Sequence, residues 1–274
     1  MVSTTSHLFD SPNADLVLRS STPKGVEFRV HQCILAQASP FFEHMFQLPQ
    51  PEAGPSHIPV VDVSESSQTL EYLLRYVYPV PKPDVSSLDE LVPVLEAASK
   101  YDFTVVIDHL RTVLVSPPFL ASDPVRVYAI ACRFDLDAEA RLASRHTLTI
   151  DVLDGPLIED LKGITAYQYH QLLNLHRARA AAAQELLILP DTVKCMMCNG
   201  THYGAFYPPK WWKDYEERAR KELAARPTAD IIFSMPFIAQ SAHAGCERCA
   251  GSIFDAHWFF ADLRKRIDDL PGTI

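Results

Sequence analysis

The chain has 274 residues, 47% of them hydrophobic and 22% charged, which is the balance of an ordinary globular protein of about two domains. Its formal net charge of -9 argues against a general nucleic-acid binder, because such proteins need Lys and Arg to neutralise phosphates. No stretch approaches the roughly 20 consecutive apolar residues of a membrane span, and the chain does not begin with the basic and then apolar pattern of a secretory signal.

The first part of the chain predicts a small α/β unit over residues 13–116. A loose, polar N-terminal tail over residues 1–12 is expected before it, in which Leu8 and Phe9 could pack locally. A short apolar run at 16–18 and the alternating pattern at 26–30 predict two strands that form a hairpin. Helical spacing and turn signals then predict further helices near 34–38, 40–46, 70–77, 87–98 and 105–115, and a strand at 58–63.

The rest of the chain predicts an all-helical extension over 117–190 and a small, cysteine-rich, α-rich module over 191–274. The expected fold class is therefore α+β and mostly helical. The predicted elements are helices near 124–134, 138–148, 165–187, 209–226 and 257–267, and a strand at 231–233. The expected buried face of the longest helix consists of Tyr169, Leu172, Leu173, His176 and Ala180.

The order of elements in the first unit, together with its motifs, resembles the BTB/POZ domain family. The motifs are Ala14-Asp15-Leu16-Val17-Leu18, Phe28-Arg29-Val30-His31, Ile34-Leu35-Ala36, Ser39-Pro40-Phe41-Phe42, Met45-Phe46, Val61-Asp62-Val63 and the helix Leu70 to Tyr78. Val127-Tyr128-Ala129-Ile130-Ala131 and Glu139-Ala140-Arg141-Leu142-Ala143 resemble the helical extension of BTB proteins from mushroom-type fungi.

The resemblance implies a non-enzymatic adaptor that binds other proteins, as a possible homodimer and with a cullin-type ubiquitin ligase scaffold as a possible partner. Two features depart from the family. Residues 1–12 are too few for the helix that many dimeric members carry before their first strand. Cullin-binding members often have an apolar residue, any residue and then Glu after the Met-Phe helix, whereas Gln50-Pro51-Glu52 keeps only the Glu.

Asp15 and His31 invite an acid–base interpretation. The resemblance implies instead that both belong to the structural core, where a carboxylate holds a histidine by a charged hydrogen bond. Cys33 and Cys132 lie in apolar sequence surroundings and are expected to be buried small hydrophobes. Neither a phosphate-binding glycine loop nor a Gly-x-Ser-x-Gly motif is present, so no catalytic residue is predicted.

Four of the six cysteines form two matching motifs, Cys195-Met196-Met197-Cys198-Asn199-Gly200 and Cys246-Glu247-Arg248-Cys249-Ala250-Gly251. Six cysteines without an export signal indicate an intracellular compartment, cytoplasmic or nuclear, where paired cysteines more often bind metal than form structural disulfides. Two intervening residues let both sulfurs of a tight turn point at one ion, and the glycine is expected to take a conformation that is costly for other residues.

Cys195, Cys198, Cys246 and Cys249 are therefore the predicted ligands of a closed, structural zinc site. The segment between the two pairs is longer than usual for such sites. Two reduced pairs without metal, or a disulfide or redox role, thus remain open, as does replacement of one thiolate by His202, His243 or His257.

The aromatic and basic residues after the first cysteine pair also allow two interpretations. Trp211, Trp212 and Tyr215 are expected to pack this module against the long helix, and the alternative is a binding face. The run Arg218, Arg220, Lys221 and Arg226 alternates with glutamates, which favours a solvated helix face. The main functional expectation is a protein-interaction adaptor, and the alternatives are a transcription-associated regulator whose zinc module contacts nucleic acid, or a redox enzyme.

Overall fold

The structure, a computed structural model, describes residues 4–21, 25–48, 58–202 and 205–274. Its chain divides into two compact units, Met1–Phe119 and Leu120–Ile274. The first combines a small sheet with helices, and the second is almost entirely helical, as the predicted fold class requires.

The first unit contains a four-stranded sheet in the order β1-β3-β2-β4. Its strands are β1 Thr4–Asp10, β2 Leu16–Arg19, β3 Val26–Val30 and β4 Val60–Asp62. The predicted hairpin is confirmed, because β2 and β3 are antiparallel with Leu16 opposite Val30. Strand β1 runs parallel to β3, and β4 runs parallel to β2.

The prediction of a loose tail over residues 1–12 is wrong for the described part of that segment, because Thr4–Asp10 is a strand. Phe9 is only 2% exposed, and its ring packs against Phe28 and Tyr78 at centroid distances of 5.9 and 5.3 Å. One buried aromatic residue and pairing with β3 therefore order a segment whose composition is mostly polar.

The predicted helices of the first unit are confirmed as α1 Gln32–Ala38, α2 Pro40–Gln47, α3 Ser67–Val77, α4 Leu88–Lys100 and α5 Thr104–Leu114. Ser39 caps α2 by accepting a hydrogen bond from the Phe42 N–H at 3.1 Å, and its hydroxyl donates to the Tyr101 carbonyl at 2.5 Å. This buried serine thus joins the start of α2 to the end of α4. A short helix, α6 Pro117–Ser122, spans the boundary between the units.

The second unit contains α7 Pro124–Arg133, α8 Asp137–Thr147, a 3-10 turn Glu159–Gly163, α9 Ala166–Glu185, α10 Lys210–Ala225, α11 Ala229–Ile232, α12 Met235–Ala244, α13 Cys249–Asp255 and α14 His257–Asp268. The strand predicted at 231–233 is wrong, since α11 occupies this segment. A short apolar run does not distinguish a strand from a helix by periodicity. A two-stranded hairpin, β5 Gly200–His202 and β6 Ala205–Tyr207, follows the first cysteine pair.

The buried face of α9 differs in part from the prediction. Leu172, His176 and Ala180 are buried, whereas Tyr169 and Leu173 are only half-buried. The helix also buries Arg179. None of the helices in the described ranges is long and apolar enough to span a membrane.

Candidate metal centre

The first cysteine pair lies in a turn between α9 and β5 that Asn199 closes. The Cys195 N–H donates to Asn199 Oδ1 at 2.9 Å, and the Asn199 N–H donates to the Cys195 carbonyl at 3.2 Å. These two reciprocal bonds fix the turn that carries Cys195 and Cys198. The sequence analysis assigned no role to Asn199, although asparagine is a common turn residue.

The second pair lies in the turn that leads into α13. The Cys249 N–H donates to the Cys246 carbonyl at 2.9 Å, and the Cys246 N–H donates to Cys249 Sγ at 3.2 Å. The expectation about the glycine two residues after the pair is wrong here. Gly251 lies inside α13, has no positive φ, and a Cβ on it would meet nothing within 4 Å. The expected special role therefore does not apply to Gly251.

The two turns bring four sulfur atoms together, all within 4.8 Å of one another. The Sγ–Sγ distances are 3.5 Å for Cys195–Cys246, 3.5 Å for Cys198–Cys249, 3.6 Å for Cys246–Cys249 and 3.9 Å for Cys195–Cys249. A tetrahedron of thiolates around zinc at about 2.3 Å per bond has edges of about 3.8 Å. A disulfide requires about 2.05 Å, so the cluster has the dimensions of a metal site and not of two disulfides.

The start of α10 supplies further N–H donors to this cluster. The Lys210 N–H donates to Cys198 Sγ at 3.4 Å, and the backbone N–H of Trp211 donates to Cys249. The first turn of a helix carries N–H groups without intrahelical partners and a positive partial charge, which stabilise thiolates. The 16-residue α10 is therefore oriented with its positive end toward the sulfurs.

Burial raises the pKa of Cys198, Cys246 and Cys249, and hydrogen bonding outweighs this effect only at Cys246. Burial raises the pKa of Cys198 to about 12 and also raises the pKa of Cys249. Burial acts in the same sense on Cys246, but the Arg248 N–H and the neighbouring thiols outweigh it and lower the pKa of Cys246 to about 7. A metal would have to displace protons from most of these thiols. Its affinity would therefore decrease as the pH decreases.

A chain of side-chain hydrogen bonds connects the two cysteine turns behind the sulfurs. Trp211 Nε1 donates to Ser252 Oγ at 3.0 Å, and Ser252 Oγ donates to the Lys194 carbonyl at 2.9 Å. Trp211, Trp212 and Tyr215 are all buried and belong to one core with Ala183 and Leu187 from the end of α9. The packing interpretation of these aromatic residues is thus confirmed.

The histidines considered as alternative ligands lie outside the sulfur cluster where their side chains are described. His243 and His257 are exposed, and His257 Nδ1 lies 3.2 Å from the Phe254 carbonyl. The side chain of His202 is outside the described part of the structure.

The basic run on α10 is a salt-bridged surface, as expected. Arg218, Arg220, Lys221 and Arg226 each pair with the carboxylate four residues earlier, at 2.9, 2.8, 2.8 and 2.6 Å respectively. Arg218 also donates to the Phe237 carbonyl at 2.9 Å and to Ser241 Oγ, both on α12. All four cations therefore have acidic partners and do not form a free basic patch.

The residues singled out in the first unit have structural partners or lie at the surface. Asp15 does not hold His31, because Asp15 Oδ1 accepts from the Gln32 N–H at 2.7 Å. The His31 N–H donates instead to Tyr78 Oη at 2.7 Å, and burial raises the pKa of Tyr78 to about 12. Cys132 is buried as predicted, but the prediction for Cys33 is wrong, because it is exposed.

Cys33 forms part of an apolar groove between α1, α3 and α5 with a volume of about 510 Å³. Ile34, Val77 and Phe103 line it, and Val105 at its edge is 74% exposed. The groove offers apolar contact area but no convergent charged groups, which suits recognition of a protein better than catalysis.

Comparison with known proteins identifies the first unit. Residues 7–117 match the family model of the BTB/POZ domain. A search of curated proteins found no matching sequence.

Proposed function

Because residues 7–117 are a BTB/POZ domain, a protein–protein interaction module, we propose that this chain is a non-enzymatic adaptor. The family match is the observation that carries the proposal. In this proposal the BTB unit provides self-association or scaffold binding, and the helical second unit supports it or binds a client protein. Asp15 accepts a hydrogen bond from the Gln32 N–H, and the His31 N–H donates to Tyr78 Oη. These contacts support a structural role for both residues and not acid–base catalysis.

The apolar groove of the first unit is the proposed partner surface. An aspartate in place of the exposed Val105 would put a charge into the groove, and a desolvated charge without a partner opposes association. We expect affinity purification from the source cell to lose specific partners with Val105→Asp. Leu157→Asp is the matched control, because Leu157 is 86% exposed in the other unit. Identical partner sets for wild type and both variants would contradict the proposed surface.

A cullin-type ubiquitin ligase scaffold is the specific partner that we propose for testing. The support is the BTB/POZ match together with the glutamate of Gln50-Pro51-Glu52, which lies outside the described residues. A pull-down with purified cullin N-terminal domain should retain the wild-type chain and lose Glu52→Arg. No retention of the wild-type chain at micromolar concentration would exclude this partner while leaving other partners of the groove possible.

We also propose that Cys195, Cys198, Cys246 and Cys249 hold one structural zinc ion. The support is the tetrahedral spacing of the sulfurs and the N–H groups directed at them. Four protein thiolates leave no open coordination position, so the proposed role is to stabilise the fold and not to catalyse a reaction. The ion would join the turn after α9 to the turn before α13.

Zinc content is the direct test. Purified protein should contain one zinc per chain, and Cys249→Ser should lose the metal and destabilise the second unit. Cys33→Ser is the control, since Cys33 is exposed and belongs to the other unit. Far less than one zinc per chain in wild type, or intact mass showing two disulfides, would contradict the proposal.

A further inference from the structure

The four clustered cysteines are unevenly buried. Cys195 and Cys249 are 1% and 0% exposed, whereas Cys198 and Cys246 are half-buried. Each cysteine turn thus contributes one cysteine that solvent reaches and one that it does not. Because cysteine oxidation follows exposure, a small oxidant in solution would meet Cys198 and Cys246 first.

The contacts between the two turns pair each half-buried sulfur with a buried one. Cys246 Sγ lies 3.5 Å from Cys195 Sγ, and Cys198 Sγ lies 3.5 Å from Cys249 Sγ. A disulfide requires about 2.05 Å, so the sulfurs of each pair would have to approach by about 1.5 Å. Once Cys246 is bonded to Cys195, the two remaining sulfurs are themselves a pair at 3.5 Å. Both cross-turn disulfides can therefore form through equally small movements.

These two disulfides would replace the connection that a zinc ion provides. Cys195–Cys246 and Cys198–Cys249 both join the turn after α9 to the turn before α13, and each pair is 51 positions apart in the sequence. Disulfides within the turns, Cys195–Cys198 and Cys246–Cys249, would leave the two turns unconnected. The cross-turn pairing would therefore preserve the core of the second unit when the metal leaves.

We propose that the four cysteines form a reversible, peroxide-sensitive switch, in which oxidation replaces one zinc ion by the disulfides Cys195–Cys246 and Cys198–Cys249. The zinc-release step rests on the zinc site proposed above, whereas the choice of disulfides rests on the sulfur geometry alone.

Hydrogen peroxide is the oxidant in this proposal. The half-buried thiol of Cys198 or Cys246 takes one oxygen atom from peroxide and becomes a sulfenic acid, and one water is released. The buried partner thiol then attacks the sulfenic sulfur, so that the S–S bond forms, the S–O bond breaks and a second water is released. Each disulfide thus consumes one peroxide, whose O–O bond receives two electrons from the two sulfurs. Zinc is released because it binds thiolates.

The buried partners also explain why the oxidation would stay reversible. A sulfenic acid that meets more peroxide becomes a sulfinic acid, which is not reduced by thiols. Here the partner thiol lies 3.5 Å away in the folded protein and is itself shielded from solvent. Disulfide formation is therefore expected to precede further oxidation.

Peptide mapping of the full chain tests the pairing. The experiment uses Cys33→Ser as the background, because Cys33 is an exposed cysteine of the first unit that could form disulfides between chains. Reduced, zinc-loaded protein is treated with one peroxide per expected disulfide, remaining thiols are alkylated, and the protein is digested with trypsin.

The tryptic peptides make the pairing readable. Trypsin cleaves after Arg248, between Cys246 and Cys249, but has no cleavage site between Cys195 and Cys198. Cross-turn disulfides should hold all peptides with these cysteines in one assembly, and fragmentation should link Cys195 to Cys246. Disulfides within the turns would instead leave the peptide of Cys195 and Cys198 separate, with an internal bond, and would overturn the proposal.

Zinc release provides the second measurement. A chromogenic chelator should detect release of one zinc ion per chain as the disulfides form, and dithiothreitol with added zinc should restore the reduced, metal-bound protein. Irreversible sulfinic acid, or four surviving thiols in excess peroxide, would overturn the switch without contradicting the zinc site. Cross-turn disulfides in a chain that holds no zinc would support the pairing and contradict only the zinc site.

The preserved connection between the turns gives the third measurement. Amide exchange over 195–199 and 246–252 should remain slow in the oxidised, zinc-free protein. It should accelerate when a chelator removes zinc from the reduced protein, because nothing then joins the two turns. Equally fast exchange in both zinc-free proteins would overturn the proposal that the disulfides take over the role of the ion.

Discussion

Gly245 and Cys249 approach so closely that a Cβ on Gly245 would lie 2.5 Å from both Cβ and Sγ of Cys249. No side chain fits at this distance, so the turn before α13 requires glycine at this position. The required glycine precedes the cysteine pair, whereas the sequence motif drew attention to Gly251, which follows it.

The first prediction compares alanine at these two glycines. Gly245→Ala should lower the free energy of unfolding by about 2 kcal/mol, because inserting a methyl group into packed surroundings forces the backbone or the Cys249 side chain to move. Gly251→Ala, in open space inside α13, should raise it by about 0.5 to 1 kcal/mol through lower chain entropy in the unfolded state. Chemical denaturation and zinc content of both variants provide the measurement. A Gly245→Ala protein as stable as Gly251→Ala would contradict the close approach.

Most regular elements were predictable because their signals are local. The spacing of Leu70, Leu73 and Leu74 predicts α3, and all three side chains are buried in the structure. Ser39 and Pro40 likewise predict the start of α2, which the structure confirms.

Other features depend on residues that are distant in sequence. Strand β1 forms because it pairs with β3 and because Phe9 packs against Tyr78. The composition of this segment does not reveal either contact. The donors from the start of α10 to Cys198 and Cys249 result from the fold, since Lys210 lies twelve positions after Cys198. The sequence therefore identified the four cysteines but not the backbone groups that surround them.

Two tyrosines in the second unit predict opposite effects of removing a hydroxyl. Tyr215 Oη is buried and has no hydrogen-bond partner within the described residues, whereas Tyr128 Oη donates to the Gln168 carbonyl at 2.7 Å. Tyr215→Phe should leave stability unchanged or raise it by up to about 1 kcal/mol, because an unsatisfied polar group is costly to bury. Tyr128→Phe should lower stability by about 1 kcal/mol. Thermal unfolding of the two variants measures the difference, and a large loss in Tyr215→Phe would indicate a partner for that hydroxyl.

The contacts of Arg179 indicate that even a conservative substitution at this position lowers the stability of the fold. Its planar guanidinium reaches the carbonyls of Pro227, Ile267 and Leu270 at once, and the single ammonium of lysine cannot reproduce this geometry. Arg179→Lys should lower the free energy of unfolding by about 2 kcal/mol or more, since buried carbonyls lose their donors. Amide exchange should accelerate over 267–274.

Arg177→Lys is the control for this change, because Arg177 is exposed on the same helix. It should remain within about 0.5 kcal/mol of wild type. Equal effects of the two substitutions would mean that the contacts of Arg179 do not hold the segment after α14.

His176 predicts a loss of stability in mild acid. Its side chain is 2% exposed, Nε2 lies 2.9 Å from Thr147 Oγ1, and burial lowers the pKa of His176 to about 4. In the unfolded chain, His176 is protonated near the ordinary histidine pKa of about 6.5. The stability that comes from burying the neutral imidazole is therefore fully present above that pH. This stability is lost as the pH falls from about 6.5 toward 4, with a total on the order of 3 kcal/mol.

Urea denaturation between pH 7.5 and 4.5 measures this dependence. His176→Gln should be less stable at pH 7.5 but should lose less stability on acidification than wild type, because glutamine does not titrate. His170→Gln, an exposed position on the same helix, should follow the wild-type curve. Since acid also releases a thiolate-bound metal, the comparison requires Cys249→Ser as a common background. Parallel curves for all three proteins in that background would show that burial of neutral His176 is not the cause of the acid sensitivity.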